Sequence, residues 1–223
     1  MEWTKRLSSS DRSNGSGFPT AKTATADIFG ADFVAMNITF SGYQDTLCAN
    51  KGHQFYRECE IYGTVDFIFG DAKAVFQNSI IFARTPLNGK QNTITAQSRN
   101  SPTDIGGYVF HNCTIRAAPN LQGWVKTYFG RPWRTYSRVV IMQSDIHPLI
   151  DPKGWMNWDV TKLVHNLYYA EYDNRGAGAD TSRRVGWCKL LHTKAEANQF
   201  TVRNFIKGNN WIPTQIPYFQ DLM

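Results

Sequence analysis

The sequence predicts an all-β fold, and a parallel β-helix rather than a β-sandwich. Three observations carry that expectation. Short runs rich in β-branched and aromatic residues recur from about residue 20, each bounded by Gly, Asn, Asp or Pro. Two aspartates in apolar surroundings, Asp45 and Asp66, lie 66 − 45 = 21 residues apart, about the length of one solenoid coil. A phrase also repeats. Phe76-Gln77-Asn78-Ser79-Ile80-Ile81 returns as Phe110-His111-Asn112-Cys113-Thr114-Ile115, 110 − 76 = 34 residues later. A sandwich needs tight hairpins, and Asn88-Gly89 is the one good candidate beyond the terminal Asn14-Gly15.

Taken in order, residues 1–17 are polar and rich in Ser and Gly, and read as a loose terminus. Residues 18–223 show no composition break and read as one domain. Strands are expected over 33–40, 74–82, 108–115 and 139–142. Asn37, Asn78 and Asn112 occupy matching places in this series, as an inward-facing asparagine ladder would. The last third is less regular. Its Trp155, Trp158, Tyr168, Tyr169, Tyr172, Trp187 and Trp211 are expected in long connections, with one helical turn over 195–200.

Composition narrows the function. With 42% hydrophobic and 19% charged residues, the chain is globular, not disordered. The net charge of +6 suits an acidic partner. No long basic run or nucleic-acid signature is present, so a polyanionic polysaccharide is preferred over nucleic acid. None of the four cysteines (Cys48, Cys59, Cys113 and Cys188) forms a C-x-x-C pair, so no metal site is expected. No signal peptide is visible and no apolar run is long enough to span a membrane.

The chemistry centres on Gln44-Asp45-Thr46-Leu47 and on Tyr62-Gly63-Thr64-Val65-Asp66-Phe67-Ile68-Phe69-Gly70. Stacked strands lie about 4.8 Å apart. One coil of separation therefore sets Asp45 beside Asp66. Two crowded carboxylates cannot ionise alike, so one serves as an acid and the other as a base or nucleophile. That is the equipment of an ester or glycoside hydrolase. Each aspartate alone has a plainer reading as a turn former.

These motifs, with Gln54-Phe55-Tyr56-Arg57-Glu58-Cys59, Asn92-Thr93-Ile94-Thr95-Ala96-Gln97, Gly130-Arg131-Pro132-Trp133, Leu149-Ile150-Asp151-Pro152-Lys153-Gly154-Trp155 and Tyr168-Tyr169-Ala170-Glu171-Tyr172, make the chain resemble the plant pectin methylesterases, or pectinesterases. The resemblance runs from about residue 17 onward. It implies a right-handed parallel β-helix and hydrolysis of methyl esters of cell-wall homogalacturonan, with no cofactor. It implies Asp66 as nucleophile, Asp45 as general acid and base, and Gln44 as an oxyanion donor. Arg131 falls on the arginine that pairs with the nucleophile, and Trp133 on an aromatic of the substrate groove. Phe69 and Trp155 are expected beside Trp133 as further substrate contacts. The expected partners are methyl-esterified homogalacturonan and a protein inhibitor of pectinesterases, with no nucleic acid or membrane. The chain is expected to be a monomer of the extracellular cell wall.

The sequence departs from the family in three places. Asn37-Ile38-Thr39-Phe40 runs directly into Ser41-Gly42-Tyr43-Gln44, where the family has a further coil carrying Gln-Ala-Val-Ala-Leu and a second oxyanion glutamine. The family's opening coils, with Gly-x-Tyr-x-Glu, have no counterpart, so the domain is expected to be incomplete at its N-terminal end. Ser79 replaces the cysteine partner of Cys113, and Cys48 replaces a tyrosine. Weakened turnover is expected from the missing glutamine. The alternative is a pectin-binding, catalytically impaired member of the family.

Overall fold

The computed structural model describes residues 7–8, 24–87, 89, 91–158 and 164–223. The loose terminus expected over 1–17 lies outside these residues except for Leu7–Ser8, and so does Asn88 of the hairpin candidate.

The strands form three parallel sheets around one core. The site sheet stacks β2 (Ala26–Phe29), β5 (Leu47–Lys51), β8 (Val65–Gly70), β11 (Gln91–Gln97) and β14 (Lys126–Gly130). The second sheet holds β3 (Phe33–Met36), β6 (His53–Arg57), β9 (Lys73–Gln77), β12 (Gly107–His111), β15 (Arg138–Met142), β17 (Tyr168–Tyr172) and β18 (Lys189–Leu190). The third holds β1 (Leu7–Ser8), β4 (Thr39–Ser41), β7 (Glu60–Gly63), β10 (Ile80–Ala83), β13 (Thr114–Ala117) and β16 (Asp145–Ile146). The chain visits the sheets in rotation, and every paired neighbour runs parallel. This is the right-handed parallel β-helix that was expected.

Both sequence spacings are rungs. Leu47 pairs with Ile68, 21 residues on, and Phe76 pairs with Phe110. The rungs stack like on like. Tyr56, Phe76 and Phe110 form a buried ring column with centroids 4.6 and 4.7 Å apart and planes within 12°. Offset stacking of this kind adds about 0.5–1.5 kcal/mol per pair to area burial. Coil length rises from 21 residues between β2 and β5 to 130 − 95 = 35 between β11 and β14. The added residues lie in the connections, not the strands.

The run over 139–142 is one strand, as expected, but the other three are each two strands. The runs over 33–40, 74–82 and 108–115 break at Asn37, Asn78 and Asn112. All three sit in the left-handed region, as do Glu58, Gln143 and Asp173 at the same corner, with φ between 48° and 56°. Asn and Asp tolerate that region better than other L residues, so the asparagines turn the chain from the second sheet to the third. The ladder is therefore not inward. Asn37 is exposed, while Asn78 and Asn112 are half-buried and their amides meet at 2.9 Å. The core place belongs to the next residue. Cys59 and Cys113 point inward there, and their N–H groups donate to Ser79 Oγ (3.1 Å) and Ser144 Oγ (3.0 Å). All four cysteines are free thiols.

The last third is more regular than expected. Tyr168–Tyr172 is a strand rather than a connection. The helical turn is α1 (Lys194–Asn198), closed by a capping box between Thr193 and Glu196. α2 (Val202–Phe205) follows and packs on the second sheet through Phe55, Val75, Val109 and Val140.

The coil before Asp45 is closed. β2, β3 and β4 pair in register with β5, β6 and β7, so the shortened stretch at Phe40–Tyr43 still completes a rung. A solenoid allows this because each coil contacts only its neighbours.

Candidate active site

Asp45 and Asp66 lie just before β5 and at the start of β8. Continuing the Leu47↔Ile68 register by two residues places them side by side. The Asp45 N–H donates to Val65 O at 3.1 Å. Both aspartates have left-handed backbones, φ 54° and 51°, so their carboxyls leave the chain in the same way. They are 7% and 6% exposed.

Arg131 follows Gly130 in the tightest contact of the site sheet. A Cβ at Gly130 would collide with Thr95, so only glycine lets β14 approach β11 this closely. The Arg131 N–H then bonds Thr95 O at 2.9 Å, and its guanidinium forks onto Asp66. Nε donates to Oδ1 at 2.9 Å and a terminal nitrogen to Oδ2 at 2.6 Å. Such a planar fork fixes a carboxylate's plane as well as its charge. Thr93 Oγ donates to Asp66 Oδ1 at 2.6 Å and accepts from the Asp66 N–H at 3.1 Å. Oδ1 thus has two donors and Oδ2 has one.

The neighbours treat Asp45 differently. No arginine forks onto it. Burial, then the charge of Asp66, pushes its carboxyl up to about 7, with Arg131 pulling weakly the other way. Asp45 therefore keeps its proton further up the pH scale than a free carboxyl does, beside a carboxylate gripped by a guanidinium. Gln44, one residue earlier, is exposed and its amide has no hydrogen bond among the described residues.

Trp133 stands two residues beyond Arg131, anchored by its N–H to Gln97 O at 3.1 Å and half-exposed. Two other expected contacts are corrected. Phe69 is only 3% exposed and meets the edge of Trp133 at 6.1 Å, so it supports the wall and offers no face. Trp155 is fully buried. Its ring packs on Phe129 and Tyr169, and its Nε1–H donates to Glu171 at 3.2 Å. The bridge Gly130↔Trp155 puts it on the rung after Arg131, pointing inward. The alternation of side chains decides this, and irregular connections hide that alternation from a sequence.

One residue of the site was not singled out, and another was placed only in a long connection. Thr93 lies inside a motif already quoted, but only the fold shows it reaching Asp66. Trp158 stacks on Arg131, 4.0 Å from ring centroid to guanidinium carbon, and packs with Trp133 over Cys48, Phe69 and Ala96. Among the described residues, no group of three or more His, Cys, Asp or Glu side chains could hold a metal ion.

The chain is similar to known proteins in both sequence and fold. The family model described as Pectinesterase matches residues 7–209. Pectinesterase 2 of Citrus sinensis is 42% identical, over 98% of this chain and 49% of its own length. Pectinesterase/pectinesterase inhibitor 38 of Arabidopsis thaliana is 44% identical, over 96% of this chain and 52% of its own. The chain spans about half the length of the curated relatives it matches. Among solved structures, carrot pectin methylesterase superposes with TM-score 0.86 at 39% identity, covering 92% of this chain and 75% of that one. The Aspergillus niger enzyme gives 0.72 at 30% identity, covering 88% and 71%.

Proposed function

The chain belongs to the pectinesterase family, and from that premise we propose that it hydrolyses the methyl esters of homogalacturonan, giving pectate and methanol. The observation that carries the proposal is the unequal aspartate pair. One carboxylate is gripped by the Arg131 fork, and burial pushes the other up to about 7.

Asp66 attacks the ester carbonyl through Oδ2, the oxygen with the single donor. The carbonyl π electrons move to oxygen, where the Gln44 amide N–H stabilises the developing charge. The intermediate collapses, the C–OCH₃ bond breaks, and Asp45 gives its proton to the departing methoxide. An anhydride between Asp66 and the sugar carboxyl remains. Asp45, now a base, takes a proton from water as the water attacks the anhydride carbonyl. Asp66 leaves as carboxylate and both groups are restored. Trp133 and Trp158 offer faces to the sugar rings.

A second reading, slow turnover, has one observation in its favour. The register Ala26↔Leu47, continued by two residues, sets Ala24 beside Asp45. Alanine brings no side-chain donor to that edge of the site. Loss of one oxyanion donor lowers rates by about 10²–10³-fold.

The partner is methyl-esterified homogalacturonan, and the names of the relatives suggest a protein pectinesterase inhibitor as a second. We place the chain in the plant cell wall as a monomer. No helix among the described residues is long and apolar enough to cross a membrane.

Methanol release from highly methylated pectin, by wild type and by Asp66→Asn, tests the reading. The wild type releases methanol and the variant does not. No methanol from either, with pectin still bound, would favour the impaired form.

A further inference from the structure

We propose that a second pocket, at the corner between the third sheet and the site sheet, takes the free carboxylate of a galacturonate unit in the polymer. The pocket is lined by Tyr43, Tyr62, Arg84, Ala118, Pro119 and Asn120 and encloses about 270 Å³. The proposal rests on the polysaccharide reading above and adds a determinant of which polymer segment is preferred.

Arg84 is the centre of the pocket. Its guanidinium carbon lies 4.9 Å from the ring centroid of Tyr62 and 5.6 Å from that of Tyr43. One terminal nitrogen donates to Gly42 O at 2.9 Å. The group is thus held beside two rings by a backbone carbonyl. Its remaining N–H groups have no partner among the described residues, and no acidic side chain lies within ion-pair distance. The next coil adds another unpaired cation, Arg116, over Phe82, and Phe82 stacks on Tyr62 at 4.3 Å. The one acid here, Glu60, accepts the Tyr62 hydroxyl at 3.0 Å. Two cations against one anion leave the corner positive.

A guanidinium with a free planar edge matches a carboxylate bidentately, and tyrosine faces suit the apolar face of a sugar ring. The pocket's residues are linked to the reacting groups through the backbone. Tyr43 precedes Gln44 and Asp45, and Thr46 Oγ donates to both Tyr43 O and Tyr62 O. The Arg84 carbonyl accepts from Asn92, the neighbour of the Thr93 that holds Asp66. A galacturonate polymer lying across this corner would set an unesterified unit against Arg84.

The test is calorimetric titration of wild type, Arg84→Gln and Arg84→Lys with unesterified trigalacturonate and with its fully methyl-esterified counterpart. Unesterified trigalacturonate should bind about tenfold more weakly to Arg84→Gln, the loss of one charge-assisted contact. Arg84→Lys, which keeps the charge without the fork, should fall between, and it remains the readout if Arg84→Gln does not fold. The esterified oligomer should bind all three alike. Equal affinity of the three for the unesterified oligomer, or no binding of it to wild type, overturns the subsite. Methanol release by wild type reports the hydrolase reading separately, so either can fail without the other.

Discussion

Two arginine–carboxylate forks in this chain have nearly the same geometry and different surroundings. Arg131 grips Asp66 at 2.9 and 2.6 Å, with side chains 21% and 8% exposed. Arg184 grips Glu171 at 2.8 and 3.1 Å, with side chains 4% and 2% exposed. Glu171 also accepts from Trp155 Nε1, and Cys188 Sγ lies 3.5 Å away. Arg184 spends its other donors on the carbonyls of Pro152 and Gly178. That pair is almost wholly enclosed, and it ties the last rungs of the solenoid to the loop around residues 176–188. In each pair the second carboxylate oxygen has a single donor, so the fork alone does not make a catalytic carboxylate. What sets Asp66 apart is a less enclosed arginine and the neighbouring Asp45, whose carboxyl is pushed up to about 7.

The comparison is broken most sharply by neutralising each acid. Asp66→Asn is expected to lower methanol release by about 10⁴-fold or more, since a nucleophile is removed. Its melting temperature should change little. Glu171→Gln should leave release per folded molecule unchanged. It should destabilise the fold by about 3–5 kcal/mol, because Arg184 stays buried without its counter-charge. Activity and denaturant unfolding on the two purified variants check the crossing. If Glu171→Gln fails to fold, expression with and without a compensating Arg184→Met reads the same buried-charge penalty.

The two tryptophans divide likewise. Trp155→Ala should cost about 3–5 kcal/mol of stability, from the cavity and the Glu171 bond it gives up. Trp133→Ala should raise KM for pectin several-fold while unfolding within about 1 kcal/mol of wild type. Chemical denaturation beside steady-state kinetics separates them.

The acidic groups give a smaller effect with a definite sign. The Asp45 carboxyl is raised in the folded state, so the folded chain holds its proton longer than the unfolded chain. That contribution is complete below about pH 4 and is lost as pH rises through about 7. Asp45→Asn should therefore be more stable than wild type at pH 8, by on the order of 2 kcal/mol. At pH 4 the difference should vanish.

His111 runs the other way. Burial between Gln77 and Gln143 pushes its imidazole down to about 4. Protonation is resisted in the fold, so stability present above about pH 6.5 falls as pH drops toward 4. His111→Gln should flatten that acid slope in a pH series of unfolding midpoints, the smallest of these effects.

Much of this was legible in the sequence because a solenoid writes its geometry as spacing. The interval between Asp45 and Asp66 is a rung, and so is the interval between Phe76 and Phe110. Arg131 was legible only through the motif Gly130-Arg131-Pro132-Trp133 that carries the family resemblance. What stayed hidden depends on which way a side chain points. Asn78 was read as mid-strand and inward, but its left-handed backbone ends the strand and turns it outward. Trp155 and Trp158 are three residues apart in similar surroundings, yet one is core and the other stacks on Arg131. Thr93 and Glu171 needed contacts 27 and 13 residues away, to Asp66 and Arg184, that no local pattern announces.

The most direct measurement is the pH titration of the aspartate carboxyls by carbon NMR in wild type, Asp45→Asn and Asp66→Asn. One carboxyl should titrate near pH 7 in wild type, vanish in Asp45→Asn, and move to lower pH in Asp66→Asn, where the neighbouring charge is gone. A wild-type spectrum in which every aspartate titrates in the ordinary range near 4 would contradict the division of labour between the two acids.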